Sequence, residues 1–253
     1  MQIQGAIIII GSLFWENKNN CIQLKSSKEL AEKRKVWRES KLNMASAKLI
    51  DLPITYGRKS TSRYCTYTMA FSNSIDKKGK GYAIPYKEKI NIEENFNQLY
   101  CQALELAEVE GISKSGENTL VKKWGSVGLK LNSKFIKNNK EITDRLFTFW
   151  EKYFSKLDID LYRIDENENH SITTQGLLNF DIEGPLDEID YFLATPVSPN
   201  VKKYPDGAEI AKAMNESRED YFTYFVENYK NGITTKYDDE IIKNLPDRIK
   251  SIL

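Results

Sequence analysis

The sequence predicts an α+β protein: a mixed, largely antiparallel sheet or small barrel packed with helices, followed by a helical C-terminal extension. Three observations carry that expectation. Short β-branched and aromatic runs bounded by Gly, Pro and Ser alternate with amphipathic stretches through the first half of the chain. Two further strand-like runs then precede a helical tail, an order unlike that of a doubly wound sheet. The 253 residues, 40% of them hydrophobic, suffice for a sizeable core. Residues 1–157 are expected to form that core and residues 158–253 an extension packed on it.

The first element is the apolar run Gly5 to Ile10, which stops at Gly11-Ser12-Leu13-Phe14-Trp15 and reads as a buried strand ending in a turn. Ser27 is placed to cap a helix over residues 28–42, where Leu30, Arg34, Trp37, Arg38 and Leu42 recur at helical spacing. Residues 45–56 and 63–72 read as strands joined by a basic turn, with Tyr64, Thr66 and Thr68 on one face and Cys65, Tyr67, Met69 and Phe71 on the other. Residues 79–86 form another strand. An amphipathic helix over 93–110 carries Phe96, Leu99, Tyr100, Ala103, Leu104 and Ala107 and stops at Gly111. A polar loop over 111–118 leads to a strand over 124–131 and an aromatic helix over 139–155. The acidic stretch from Leu157 to Asn169 marks a long loop or the edge of a subdomain. Strands are expected over 174–182 and 189–195. The connection Thr195-Pro-Val-Ser-Pro-Asn200 then leads into a long helix over 206–230 stopped by Gly232, and a last short helix from about residue 237 to the end has Pro246 at a kink or break.

Composition excludes several function classes. The 37 basic and 36 acidic residues leave a net charge of +1, so no global field draws the chain to nucleic acid or a membrane. The N-terminal apolar run is too short to span a bilayer and has no basic flank or cleavage site, so a cytoplasmic location is expected. Cys21, Cys65 and Cys101 are far apart and form no Cys-x-x-Cys pair, which points to reduced, buried thiols. With His170 as the one histidine, neither a His-rich metal site nor a Ser-His-Asp triad is supported. No metal and no cofactor is expected, and carboxylates are left to move protons.

Four groups stand out as carriers of chemistry. In the Gly11-Ser12-Leu13 turn, small residues after a buried strand let consecutive amides converge on an oxygen atom. At the end of the 93–110 helix, Glu105 and Glu108 share a face, while Glu110 sits in the last turn, where the negative end of the helix dipole raises a carboxylate's proton affinity and suits it to acid/base work. A solvated acidic face is the plainer reading. In Tyr56-Gly57-Arg58-Lys59-Ser60-Thr61-Ser62-Arg63, the cations Arg58 and Arg63 among hydroxyls suit a phosphate or carboxylate, against the alternative of a basic turn in solvent. The aromatic group Tyr204, Tyr221, Phe222, Tyr224, Phe225 and Tyr229 reads as helix packing, with contact between copies in a homo-oligomer as its second use.

A strand running into Gly-Ser-Leu, a Glu-Gly pair at the end of a helix and a following strand resemble the γ-glutamylcyclotransferase-like proteins, and Gly-Ser-Leu-Phe-Trp is similar to the Gly-Ser-Leu-Ile-Trp pattern of the ChaC branch. The resemblance spans residues 5–131, with Ile10 at the family's tyrosine position. It implies a small mixed β-barrel in which the amides of Gly11, Ser12 and Leu13 hold a γ-glutamyl substrate. Glu110, or else Glu108, then shuttles a proton as the substrate's α-amine attacks its γ-carbonyl and releases 5-oxoproline. The competing expectation is a binding module in which the same loop and the basic segment hold an anionic small molecule such as a nucleotide.

Overall fold

The computed structural model describes residues 1–21, 28–60, 66–93, 95–114, 116–216 and 222–253. The expected cap Ser27, strand residues Tyr64 and Cys65, and Tyr221 lie outside the described residues. The chain runs through β1 (Gln2–Ile3), β2 (Gly5–Ile9), α1 (Lys28–Lys41), β3 (Lys48–Leu52), β4 (Ile54–Ser60), β5 (Thr66–Phe71), β6 (Gly79–Pro85), β7 (Ile90–Asn91) and α2 (Asn97–Glu110). It continues through β8 (Val121–Lys122), β9 (Gly125–Ser126), β10 (Gly128–Leu131), α3 (Ser133–Asn138), α4 (Lys140–Glu151) and β11 (Tyr191–Ala194). The last helices are α5 (Gly207–Asn215), α6 (Phe222–Lys230), α7 (Asp238–Asn244) and α8 (Asp247–Lys250).

Five strands form the central sheet in the order β10-β11-β2-β6-β3. The β11–β2 pair is parallel and the other three pairs are antiparallel, so the sheet is mixed and largely antiparallel. It stays open, with β10 and β3 at its edges, and the barrel does not close. The segment after residue 158 supplies β11, which lies inside the sheet beside β2.

Every residue of β2 is buried because both faces of the sheet are covered. Ile7 and Ile9 pack with Trp37 of α1, Leu99, Leu106 and Ala107 of α2, and Trp150 of α4. Their neighbours Ala6 and Ile8 face the opposite way, toward Ile54 and Tyr56 of β4, Phe71 of β5, Ile210 of α5 and Phe225 of α6. Burying each isoleucine on these faces contributes about 1.5–3 kcal/mol. The strand is thus the shared wall of two apolar clusters, and its end is held from both sides.

Several elements differ from the sequence reading. Residues 45–56 divide at Pro53 into β3, which joins the central sheet, and β4, which pairs only with β5 in a separate antiparallel hairpin. The supposed basic turn is strand as far as Ser60. Residues 174–182 make only isolated bridges, through Leu177 and Leu178. The expected long helix is represented by α5 and α6, with α5 capped by a reciprocal Asp206–Glu209 box. Cys101 is exposed and Cys21 half-buried, so the expectation of buried thiols fails for both. Among the described residues, no helix is long and apolar enough to cross a membrane.

One buried acid makes stability depend on pH. Asp238, the first residue of α7, is 4% exposed and accepts bonds from the Thr235 amide (2.9 Å) and hydroxyl (2.6 Å). Burial outweighs these bonds and raises its pKa from 3.8 to about 7. Between those values the folded state keeps a proton that the unfolded state has released, so this group's contribution falls as pH rises and levels off above about 7. Asp238→Asn is expected to remove that slope. Urea denaturation of both proteins across the interval checks it: parallel stability curves would contradict the assignment.

Candidate functional site

The adjacent parallel strands β2 and β11 end at a cavity of about 440 Å³. Its walls come from distant parts of the chain: Ile10 to Leu13 after β2, Leu30 and Arg34 of α1, and Glu110 with Gly111 at the end of α2. Arg58 and Ser60 of β4, Thr68 and Met69 of β5, and Trp124 in the β8–β9 turn form another wall. Thr195 and Val197 after β11 and Tyr224 of α6 complete it.

After β2 the chain makes one tight turn. Phe14 N–H donates to the Gly11 carbonyl (2.9 Å), and the amides of Trp15 and Glu16 donate to the Ser12 carbonyl at 3.2 and 2.8 Å. These internal bonds begin at Phe14, beyond the Gly11–Leu13 segment that faces the cavity. The turn is anchored from α1, whose Arg34 and Arg38 lie on its buried side. Arg38 donates to the carbonyls of Leu13 (2.7 Å) and Glu16 (2.9 Å). Its burial, and then the neighbouring Arg34 charge, lower its pKa to about 10, so it remains a cation at neutral pH.

Arg34 spans the two halves of the site. Its Nε donates to the Val109 carbonyl (2.8 Å), one Nη pairs with the fully buried Glu16 carboxylate, and the other approaches Glu110 Oε2 at 3.4 Å. Glu110 Oε1 also accepts from the Thr195 hydroxyl at 3.2 Å. A helix ending at Gly111 in the left-handed conformation, φ 81°, puts Glu110 at this edge. Residues two apart on a helix point to nearly opposite sides, and Glu108 is exposed. Glu105 pairs with Lys41 at 2.7 Å, away from the cavity.

Arg58 enters through a strand irregularity. Tyr56 pairs with Met69 and Arg58 with Thr68, leaving Gly57 as the extra residue of a bulge, which re-aims the side chain after it. A side chain at Gly57 would begin 2.9 Å from the Tyr204 ring. Tyr204 is itself held through its hydroxyl to the buried Glu168 carboxylate (3.0 Å), which also accepts from Ser72 Oγ (2.6 Å). Arg58 then donates to the Ser198 carbonyl (2.8 Å), and its guanidinium lies 5.5 Å from the Trp124 ring centre.

Of the residues singled out in the sequence, Gly11, Ser12, Leu13, Arg58 and Glu110 therefore meet around one cavity, while Glu108 stays in solvent and Arg63 lies outside the described residues. Leu13 is also part of the core. Sequence reading missed Arg34, Trp124, Thr195 and Tyr224 as wall residues. Arg34 and Arg38 did carry a signal: two arginines on an apolar helical stripe require buried polar partners. Among the described residues, no three His, Cys, Asp or Glu side chains converge on a metal site.

Gly11 is required for space, and a positive φ is not the reason, since its φ lies outside the left-handed region. A Cβ there would fall 2.7 Å from Tyr224 Oη, which accepts the Met69 amide at 3.2 Å. Gly11→Ala is expected to cost about 1–3 kcal/mol through overpacking. Tyr224→Phe in the same chain should recover part of that loss. Equal denaturation midpoints for wild type and Gly11→Ala would contradict the contact.

No protein-family model, curated protein or solved structure matches this chain.

Proposed function

We propose that the protein is a cyclotransferase-like enzyme that acts on a small γ-glutamyl substrate, with Glu110 as the general acid/base and the Gly11–Leu13 turn as the substrate loop. The observation that supports this reading is the meeting of the Glu110 carboxylate and that turn at one cavity with an arginine on another wall. The substrate's α-amine, once deprotonated by Glu110, attacks its own γ-carbonyl carbon. A new C–N bond closes the five-membered ring as electron density moves onto the carbonyl oxygen, where backbone donors are most effective. Collapse breaks the γ-amide C–N bond; the proton held by Glu110 passes to the departing nitrogen, and the ring nitrogen gives up its second proton, so that the amine leaves as an ammonium ion. Atoms balance without a co-reactant: one γ-glutamyl amine gives one 5-oxoproline and one free amine.

The test is to incubate the protein with a set of γ-glutamyl amines and quantify both products. Equal molar release of 5-oxoproline and amine is the expected result, and intact substrates after prolonged incubation would overturn the reading. The second reading, a non-catalytic site for an anionic small molecule, draws on Arg58 and the nearby hydroxyls of Ser60 and Thr68 in the same wall. Tight binding without turnover would favour it.

A further inference from the structure

We infer that Arg58 is a carboxylate-binding residue that selects substrates by a carboxylate group. This deepens the cyclotransferase reading and rests on it for the identity of the molecule that carries the carboxylate.

The two guanidinium groups on the cavity wall differ in their partners. Arg34 is engaged on Nε and both Nη groups, by Val109, Glu16 and Glu110. Among the described residues, Arg58 makes one side-chain hydrogen bond, to the Ser198 carbonyl, and its ring contact is with Trp124. It forms no ion pair with a carboxylate among the described residues. A half-buried cation without a counter-charge is costly, and burial lowers the proton affinity of Arg58. The fold nevertheless builds the position deliberately: a bulge at Gly57, closed behind by Tyr204, aims the arginine, while an indole and a carbonyl restrain the guanidinium.

A guanidinium with one donor occupied retains further N–H donors in a planar fork, the geometry that matches a carboxylate. The same fork also fits a phosphate, and it is the cyclotransferase reading that makes the anion a carboxylate, because a γ-glutamyl substrate carries carboxylates and no phosphate. Ser60 and Thr68 line the same wall, and the Thr68 hydroxyl donates to the Arg58 carbonyl (3.1 Å), tying the two strands together beside the guanidinium. Two groups of a γ-glutamyl compound could supply the carboxylate: the α-carboxylate of the glutamyl unit, or the carboxylate of an amino acid that departs as the amine. Both present the same chemistry to Arg58.

Isothermal titration calorimetry separates them, with Glu110→Gln as the host so that turnover does not obscure the heats. The ligands are γ-glutamyl-alanine, γ-glutamyl-ethylamine, which lacks only the second carboxylate, and glutarate, which carries carboxylates alone. Arg58→Lys keeps the charge and loses the fork; Arg58→Gln loses both. Weaker binding of γ-glutamyl-alanine by about 10-fold or more in Arg58→Lys is expected. An equal loss for γ-glutamyl-ethylamine assigns the contact to the α-carboxylate, and a loss confined to γ-glutamyl-alanine assigns it to the departing amino acid. Arg58-dependent binding of glutarate without binding of either γ-glutamyl ligand would retain the carboxylate site and overturn the cyclotransferase reading. Affinities unchanged by both substitutions, or no binding of any ligand, would overturn the inference. If Arg58→Gln fails to fold, Arg58→Lys decides alone.

Discussion

Replacing Arg34 with methionine is expected to destabilise the fold by about 3–5 kcal/mol, the scale for removing one partner of a buried ion pair. Methionine preserves most of the stem's packing, so the loss isolates the charge and its bonds. Glu16 is 0% exposed and pairs with Arg34, and the same guanidinium holds the Val109 carbonyl at the end of α2. Without it, a buried carboxylate loses the guanidinium it pairs with and the turn after β2 loses its tie to the helix bearing Glu110. Urea denaturation with an unchanged slope reads the effect. A loss below about 1 kcal/mol, the value of a surface pair, would mean that water screens these charges.

The second large effect concerns turnover. Glu110→Gln is expected to lower kcat for 5-oxoproline release by about 100-fold or more, the scale for losing a general acid/base, while substrate still binds. Glutamine retains the shape and an acceptor for Thr195 but cannot carry the proton from one nitrogen to the other. Glu108→Gln, in solvent on the opposite side of α2, should be nearly silent. Full activity in Glu110→Gln, or a comparable loss in both variants, would remove Glu110 from the acid/base role.

Much of the architecture is legible because it is written in local chemistry. The unbroken apolar run of β2 announces a strand covered on both faces, Gly111 ends α2 in the left-handed conformation, and Pro246 separates α7 from α8. Sequence reading failed where tertiary partners decide. Residues 174–182 look strand-like, yet only isolated bridges form there: Leu129 of β10 donates to the Gly176 carbonyl (3.0 Å) and accepts from the Leu178 amide (2.8 Å), which bridges it to Leu177, while Leu178 bridges Ile172. The segment Gly57 to Ser60 has the composition of a basic turn, but pairing with β5 makes it strand and the bulge turns Arg58 toward the cavity. The choice between Glu108 and Glu110 needed the position of the sheet relative to α2. Trp124, Thr195 and Tyr224 carry no motif, and only the fold brings them to the end of β2.

Titrating γ-glutamyl-alanine into ¹⁵N-labelled Glu110→Gln protein and following each backbone amide by NMR tests the proposed seat of a γ-glutamyl substrate between the Gly11–Leu13 turn and Glu110. Saturable shifts largest at Gly11, Ser12, Leu13 and Gly111 are the expected result, since these line the cavity on its two facing segments. Saturable shifts that leave those four amides unmoved and gather instead at the surface groove of Phe96, Arg145 and Phe149 would contradict it.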